Sequence, residues 1–146
     1  MSTYKTFFPQ ALEKPASVSP AADLLGWKGL EVDHEQGRIR VEFQAKPEFT
    51  NPIGVIHGGF LTAMLDEAMG GAIAAMLGYG EFAPTVELKV NFIRPAQAGS
   101  LVAEGRVVYR GISLAFVQGE LRTIDGQLVA TGSATAQIQR IRRPAS

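Results

Sequence analysis

Between Phe60 and Leu77 apolar residues fall on every side of a helical wheel: Phe60, Leu61, Ala63, Met64, Leu65, Ala68, Met69, Ala72, Ile73, Ala75, Met76 and Leu77. A helix apolar all round is one enclosed by protein rather than lying on a surface, and Gly78 is placed to end it as a C-terminal cap. Asp66, Glu67, Gly70 and Gly71 interrupt the run. Acidic groups at the centre of a membrane span are costly, so the pattern predicts a buried helix in a water-soluble domain.

Four runs of strand character follow, Pro84 to Arg94, Ser100 to Arg110, Leu114 to Ile124 and Leu128 to Ile141. Alternation is clear in Val86-Glu87-Leu88-Lys89-Val90-Asn91-Phe92, and Asp125-Gly126 between two runs is a hairpin signal. The four read as an antiparallel meander. Upstream, AADLLGWKGL from Ala21 forms a helical turn ending at Gly26. Leu30 to Asp33 and Arg38 to Ala45 pair as a hairpin through Glu35-Gln36-Gly37. Two strands, one enclosed helix and four more strands describe an α+β domain, a sheet wrapped around one helix. Such a sheet leaves edge strands, and side-by-side pairing of two copies covers one, so a dimer is expected.

The 146 residues fit one domain. Residues 1 to 20, rich in Pro, Ser and Ala, are expected to form a loosely ordered arm ahead of a domain spanning 21 to 146. Lys plus Arg and Asp plus Glu number 14 each, so no summed field holds nucleic acid or an anionic membrane. The absence of cysteine removes thiolate nucleophiles and Cys-ligated metals and fits a reducing compartment. The first residues lack the pattern of an export signal, which makes a cytoplasmic location the expectation. His34 and His57 have no ligand spacing between them, so no metal site is expected.

Asp66 and Glu67 carry the most chemical information, because an unpaired charge in apolar surroundings needs compensation. Nine residues before Asp66, His57-Gly58-Gly59 opens the helix, where backbone N–H groups lack intrahelical partners and the dipole favours negative charge. That arrangement suits an oxyanion or a thioester carbonyl. Structural readings stand beside these: a carboxylate reaching water or a basic partner, a loop histidine bonding backbone, glycines for close packing. Gly58 and Asp66 are eight residues apart, roughly 12 Å along a helix axis. One reacting carbonyl therefore uses both only if two antiparallel helices lie side by side, each offering its N-terminus to the other's carboxylate.

The run Asn51-Pro52-Ile53-Gly54-Val55-Ile56-His57-Gly58-Gly59 followed by Ala63-Met64-Leu65-Asp66 resembles hotdog-fold thioesterases of the phenylacetate-pathway (PaaI-like) type. The likeness continues through Val90-Asn91-Phe92-Ile93-Arg94-Pro95-Ala96, Ser113-Leu114-Ala115-Phe116 and Ala130-Thr131-Gly132, over roughly residues 25 to 140. It implies an acyl-CoA thioesterase that needs no cofactor. Asp66 matches the general base or nucleophile, Gly58 the N–H that polarises the thioester carbonyl, and His57 the residue that fixes that loop. Asn51 matches the position that orients water or substrate, and Thr85 a hydroxyl that holds the attacking water. Asn51, His57 and Gly58 are expected to face Asp66 from the partner subunit, in a homodimer that pairs further into a homotetramer.

Gly59, Arg94 and Arg110 are expected at the substrate, the arginines near CoA phosphates, although arginines solvated at strand ends fit the same positions. Arg140, Arg142 and Arg143 read as a solvated basic tail. Glu67, roughly 100° round the helix from Asp66, is assigned a structural or entrance role. Two other readings are carried: a hotdog hydratase or dehydratase, against which the His57 to Asp66 spacing argues, and a non-catalytic acyl-CoA-binding module. Phenylacetyl, hydroxybenzoyl and medium-chain acyl groups all remain open.

Overall fold

The computed structural model describes residues 19–141. The arm expected at the N-terminus, apart from Ser19 and Pro20, lies outside the described residues, as do Arg142 and Arg143. Helix α1 (Pro20–Leu24) is capped by the Ser19 hydroxyl, which accepts from Ala22 N, and closes at Gly26 with φ +66°. Strands β1 (Lys28–Asp33) and β2 (Arg38–Ala45) make the expected hairpin, and a short 3-10 turn at Pro47–Phe49 leads towards the long helix α2 (Gly58–Ala74). After it come β3 (Glu81–Phe82), β4 (Thr85–Phe92), β5 (Gly99–Arg110), β6 (Leu114–Thr123), β7 (Leu128–Gln137) and β8 (Gln139–Arg140).

Helix α2 begins two residues before the apolar run, because His57 caps it, and ends at Ala74 rather than near Gly78. The strand order β1-β2-β5-β6-β7-β4 corrects the expected meander of four. Only β5, β6 and β7 follow one another; β4 lies beside β7, and β5 takes its place beside β2. Hairpin alternation identifies strands but cannot tell which edge the first of them joins, since the loop from Ile93 to Ala98 is long enough to leave the sheet edge.

The sheet packs its inward faces on α2: Ile39, Val41 and Phe43 from β2, Leu101 and Ala103 from β5, Ala115, Val117 and Leu121 from β6. Three glycines form a row across adjacent strands, Gly105 opposite Gly119 and Gly119 opposite Gly132. A side chain at Gly105 would put its Cβ 2.3 Å from the Ala68 carbonyl oxygen, so the helix backbone lies directly on β5 there. Met69 fills the space over Gly119 and Gly132.

Burial of α2 is one-sided. Leu61, Met64, Leu65, Ala68, Met69, Ala72 and Ile73 are buried against the sheet, whereas Gly59 is exposed and Thr62, Ala63, Asp66, Glu67, Gly70 and Ala74 are half-buried. The full enclosure expected for this helix is therefore not supplied within one chain's described residues. No described helix is long and apolar enough to cross a membrane.

Candidate active site

Strand β4 runs along α2 in the opposite sense, so its two ends meet two different parts of the helix. At its start, the Thr85 hydroxyl donates to Asp66 Oδ1 at 2.8 Å, part-buried. At its end, the Phe92 ring lies against Gly58, where a Cβ would stand 2.9 Å from Cζ.

Strict alternation would put Thr85 on the outward face with Glu87, Lys89 and Asn91, all exposed. A bulge between Thr85 and Glu87 shifts the register. That extra residue reverses the facing of everything before it, which turns Thr85 inward to Asp66. Leu88, Val90 and Phe92 keep the helix-facing parity.

The other end of the helix is built by a compact loop. Asn51 N donates to Val55 O at 2.8 Å, and the Asn51 side-chain oxygen accepts from Ile53 N at 3.1 Å and Val55 N at 3.3 Å. Gly54 takes φ +84° in this turn, a left-handed conformation suited to glycine. His57 Nδ1 accepts from Gly59 N at 2.9 Å, and the His57 carbonyl accepts from Phe60 N and Leu61 N. An accepting Nδ1 leaves the proton of a neutral imidazole on Nε2. Gly58 N–H is thus the one group of the first helical turn without a hydrogen-bond partner among the described residues. The stacked rings of Phe49 and Phe60, 4.1 Å apart, floor this end.

Asn51, His57, Gly58 and Gly59 therefore meet at one end of α2, and Asp66 meets Thr85 half a helix away. Arg94 belongs to the first group: it is exposed and follows β4, and Ile56 N donates to Ala96 O at 2.9 Å, tying that loop to the one before α2. Arg110 is held elsewhere, donating to Glu81 Oε2 at 2.6 Å and to the Gly111 carbonyl at 3.1 Å. Glu67, half-buried beside Asp66, has its pKa raised by burial first and by the neighbouring Asp66 charge second.

Two residues stand out that sequence reasoning passed over. Phe92 is one, and its parity with Leu88 and Val90 was the available signal. Glu81 is the other: 5% exposed, it accepts from Gly78 N at 2.7 Å, from Arg110 and from Arg140 at 3.2 Å. The Gly78 N–H does most to hold its carboxyl below the ordinary value of 4.5, and the arginines add to this against the opposing cost of burial. This ionic knot anchors the segment that leads to Thr85.

A lowered carboxylate pKa contributes stability that is present above the ordinary value and is lost as pH falls through the folded one. Glu81→Gln is accordingly expected to destabilise the protein at pH 7 by about 1–3 kcal/mol, since it leaves the part-buried Gly78 N–H and Arg110 without a charged acceptor. The gap from wild type should shrink as pH drops below the usual carboxylate range. Thermal melts at pH 7 and pH 3 check this; an equal deficit at both would refute it.

A family profile for the thioesterase superfamily matches residues 53–130, from the loop before α2 into β7. The chain belongs to the thioesterase superfamily. A phenylacetic acid degradation-related protein from Ralstonia eutropha JMP134 is 39% identical, superposes with a TM-score of 0.83 and covers 90% of this chain and 98% of that one. Human acyl-coenzyme A thioesterase 13 is 29% identical over 106 residues, 70% of this chain and 74% of that protein. The PaaI protein of the Escherichia coli phenylacetic acid degradation operon, 22% identical with a TM-score of 0.79, covers 96% of this chain and 97% of that one and shares the fold. The hotdog fold and the PaaI-like grouping expected from the motifs hold. The chemistry of this thioesterase is hydrolysis of a thioester.

Proposed function

We propose that this thioesterase hydrolyses acyl-CoA in a site composed from two chains, with Asp66 of one chain acting on a carbonyl held by Gly58 N–H of the other. The observation that carries the proposal is the arrangement along α2: an unpartnered N–H at its start, a Thr85-bonded carboxylate eight residues on, and the edge strand β4 beside both. About 12 Å of helix separates the two groups within a chain, too far for one carbonyl.

Antiparallel pairing of β4 with its own copy brings the start of each strand to the end of the other, and so carries each Asp66 towards the other Gly58. A register with Leu88 opposite itself sets Glu87 of each chain against Lys89 of the partner subunit, opposite charges on one face. The same pairing lays the half-covered faces of the two α2 helices together, where Gly59, Ala63, Gly70 and Ala74 permit close approach. The family likeness supports a further association of two such dimers into a homotetramer.

In this site the Asp66 carboxylate takes a proton from a water that adds to the thioester carbon, or itself adds to that carbon to form an anhydride that water then cleaves. On either route the carbon–sulfur bond breaks, CoA leaves as the thiol and the acid is released, while Thr85 orients the reacting oxygen. The Gly58 N–H and the helix dipole stabilise the charge that develops on the carbonyl oxygen. His57 and Asn51 hold the loop that aims this N–H. Arg94, exposed just after β4, pairs in this reading with the phosphates of CoA.

Thiol release from a panel of aromatic and aliphatic acyl-CoAs tests the reading. Turnover of at least one member is expected. Binding of acyl-CoA without cleavage of any would replace the proposal with a ligand-binding role.

A further inference from the structure

Phe92 is 55% exposed, and its ring lies beside Gly58, whose N–H has no partner among the described residues. Large apolar side chains exposed singly need no explanation, but this one is held in place. On its C-terminal side Ile93 N and Arg94 N both donate to the Val129 carbonyl, at 2.8 and 3.2 Å, and Ala96 O accepts from Ile56 N at 2.9 Å. On its N-terminal side it is the last residue of the β4 ladder, opposite Ala130. The ring also occupies the space of a Gly58 side chain, with Cε1 and Cε2 at 3.2 and 3.3 Å from a Cβ there. Residue 58 must therefore be glycine for the ring to stay where it is.

A ligand that fills this corner needs an acceptor for the N–H and, next to it, an apolar surface for the ring. A thioester has both: the carbonyl oxygen, and the first carbons of the acyl group attached to it. Resting on the composite thioesterase site proposed above, we infer that Phe92 determines acyl specificity: its ring forms the wall against which the carbons next to the thioester carbonyl pack. Acyl groups with a flat or bulky apolar body close to the carbonyl gain from this wall, and acetyl, with one methyl, gains little.

The experiment compares wild type, Phe92→Ala and Phe92→Leu on acetyl-CoA, hexanoyl-CoA and phenylacetyl-CoA, with melting curves for each variant. For Phe92→Ala the expected result is a loss in kcat/KM of about 10- to 100-fold on phenylacetyl-CoA and hexanoyl-CoA and less than about 3-fold on acetyl-CoA. Phe92→Leu is expected between the two, and serves alone if the alanine variant does not fold. A merely structural ring would lower all three substrates alike, and that result overturns the inference while leaving the hydrolase intact. If wild type cleaves none of a wider acyl-CoA panel, the proposed function fails and the inference with it.

Coupling gives an independent reading. Gly58→Ala keeps the N–H but pushes the ring aside, so it should reproduce the selectivity loss of Phe92→Ala in the wild-type background. In the Phe92→Ala background it should change the ratio of kcat/KM on phenylacetyl-CoA to that on acetyl-CoA by less than about 2-fold further, whatever it does to the rate itself, since the ring is already gone. Additive losses would contradict the contact on which the inference stands.

Discussion

Asp66→Asn is expected to lower kcat on any cleaved acyl-CoA by about a hundred- to ten-thousandfold, the range lost with a positioned proton acceptor or nucleophile. The substitution preserves shape: an asparagine side-chain oxygen still accepts from Thr85, whose hydroxyl stands 2.8 Å from Asp66. It also removes the charge that raises the pKa of Glu67, so the melting temperature should not fall. Activity lost together with stability would point to a structural carboxylate. Thiol release and thermal melts on the same preparation separate the two.

Gly105→Ala is expected to be the most damaging single methyl in the described core. Its Cβ would lie 2.3 Å from the Ala68 oxygen, 2.8 Å from the Ala68 carbonyl carbon and 3.1 Å from Met69 N, all backbone atoms of α2. No rotamer change relieves such a contact; helix and strand must separate, which opens the layer between them. Overpacking of side chains costs about 1–3 kcal/mol, and a backbone clash should reach at least ~3 kcal/mol, with a fall in melting temperature of about 10 °C. Gly119→Ala is the control. Its nearest atom is Met69 Cγ at 2.9 Å, on a flexible side chain that can move, so its cost should be clearly smaller. Equal melting temperatures for the two variants would show that the helix does not rest on β5 as described.

The sequence displayed the helix, the loop that caps it and six of the strands, because each is a local pattern: an all-round apolar run, a glycine-rich entrance, alternation broken by turns. Pairing of β4 with β7 was hidden, since it depends on which edge a strand reaches after the chain has left the sheet. Thr85 illustrates the same limit at the scale of one residue. Family likeness pointed to it, while alternation alone would have turned it outward; the bulge after it decides, and bulges have no fixed spelling. Arg110 looked like a phosphate ligand from its place at a strand end. In the fold a carboxylate 29 positions earlier in the chain, Glu81, already holds it. The joining of the Gly58 end of one chain to the Asp66 of another was legible only as an argument about distance, and it still rests on that argument together with the free edge of β4.

Mixing inactive subunits tests that joining most directly. One parent is Asp66→Asn; the other is Gly58→Pro, which removes the N–H at the first helical position, where the backbone after the extended His57 (φ −60°, ψ 135°) accepts proline. Its ring, like any side chain at 58, also displaces Phe92 in its own chain but not in the intact site of a mixed dimer. Each parent alone should be severely impaired, Gly58→Pro by about 10²–10³ in kcat, as for loss of one oxyanion donor. Co-refolded in equal amounts, the account predicts recovery of about a quarter of wild-type activity: half of the dimers are mixed, and each has one intact site of two. Activity of the mixture no greater than the mean of the parents, with mixed dimers verified by mass, would contradict a site shared between chains.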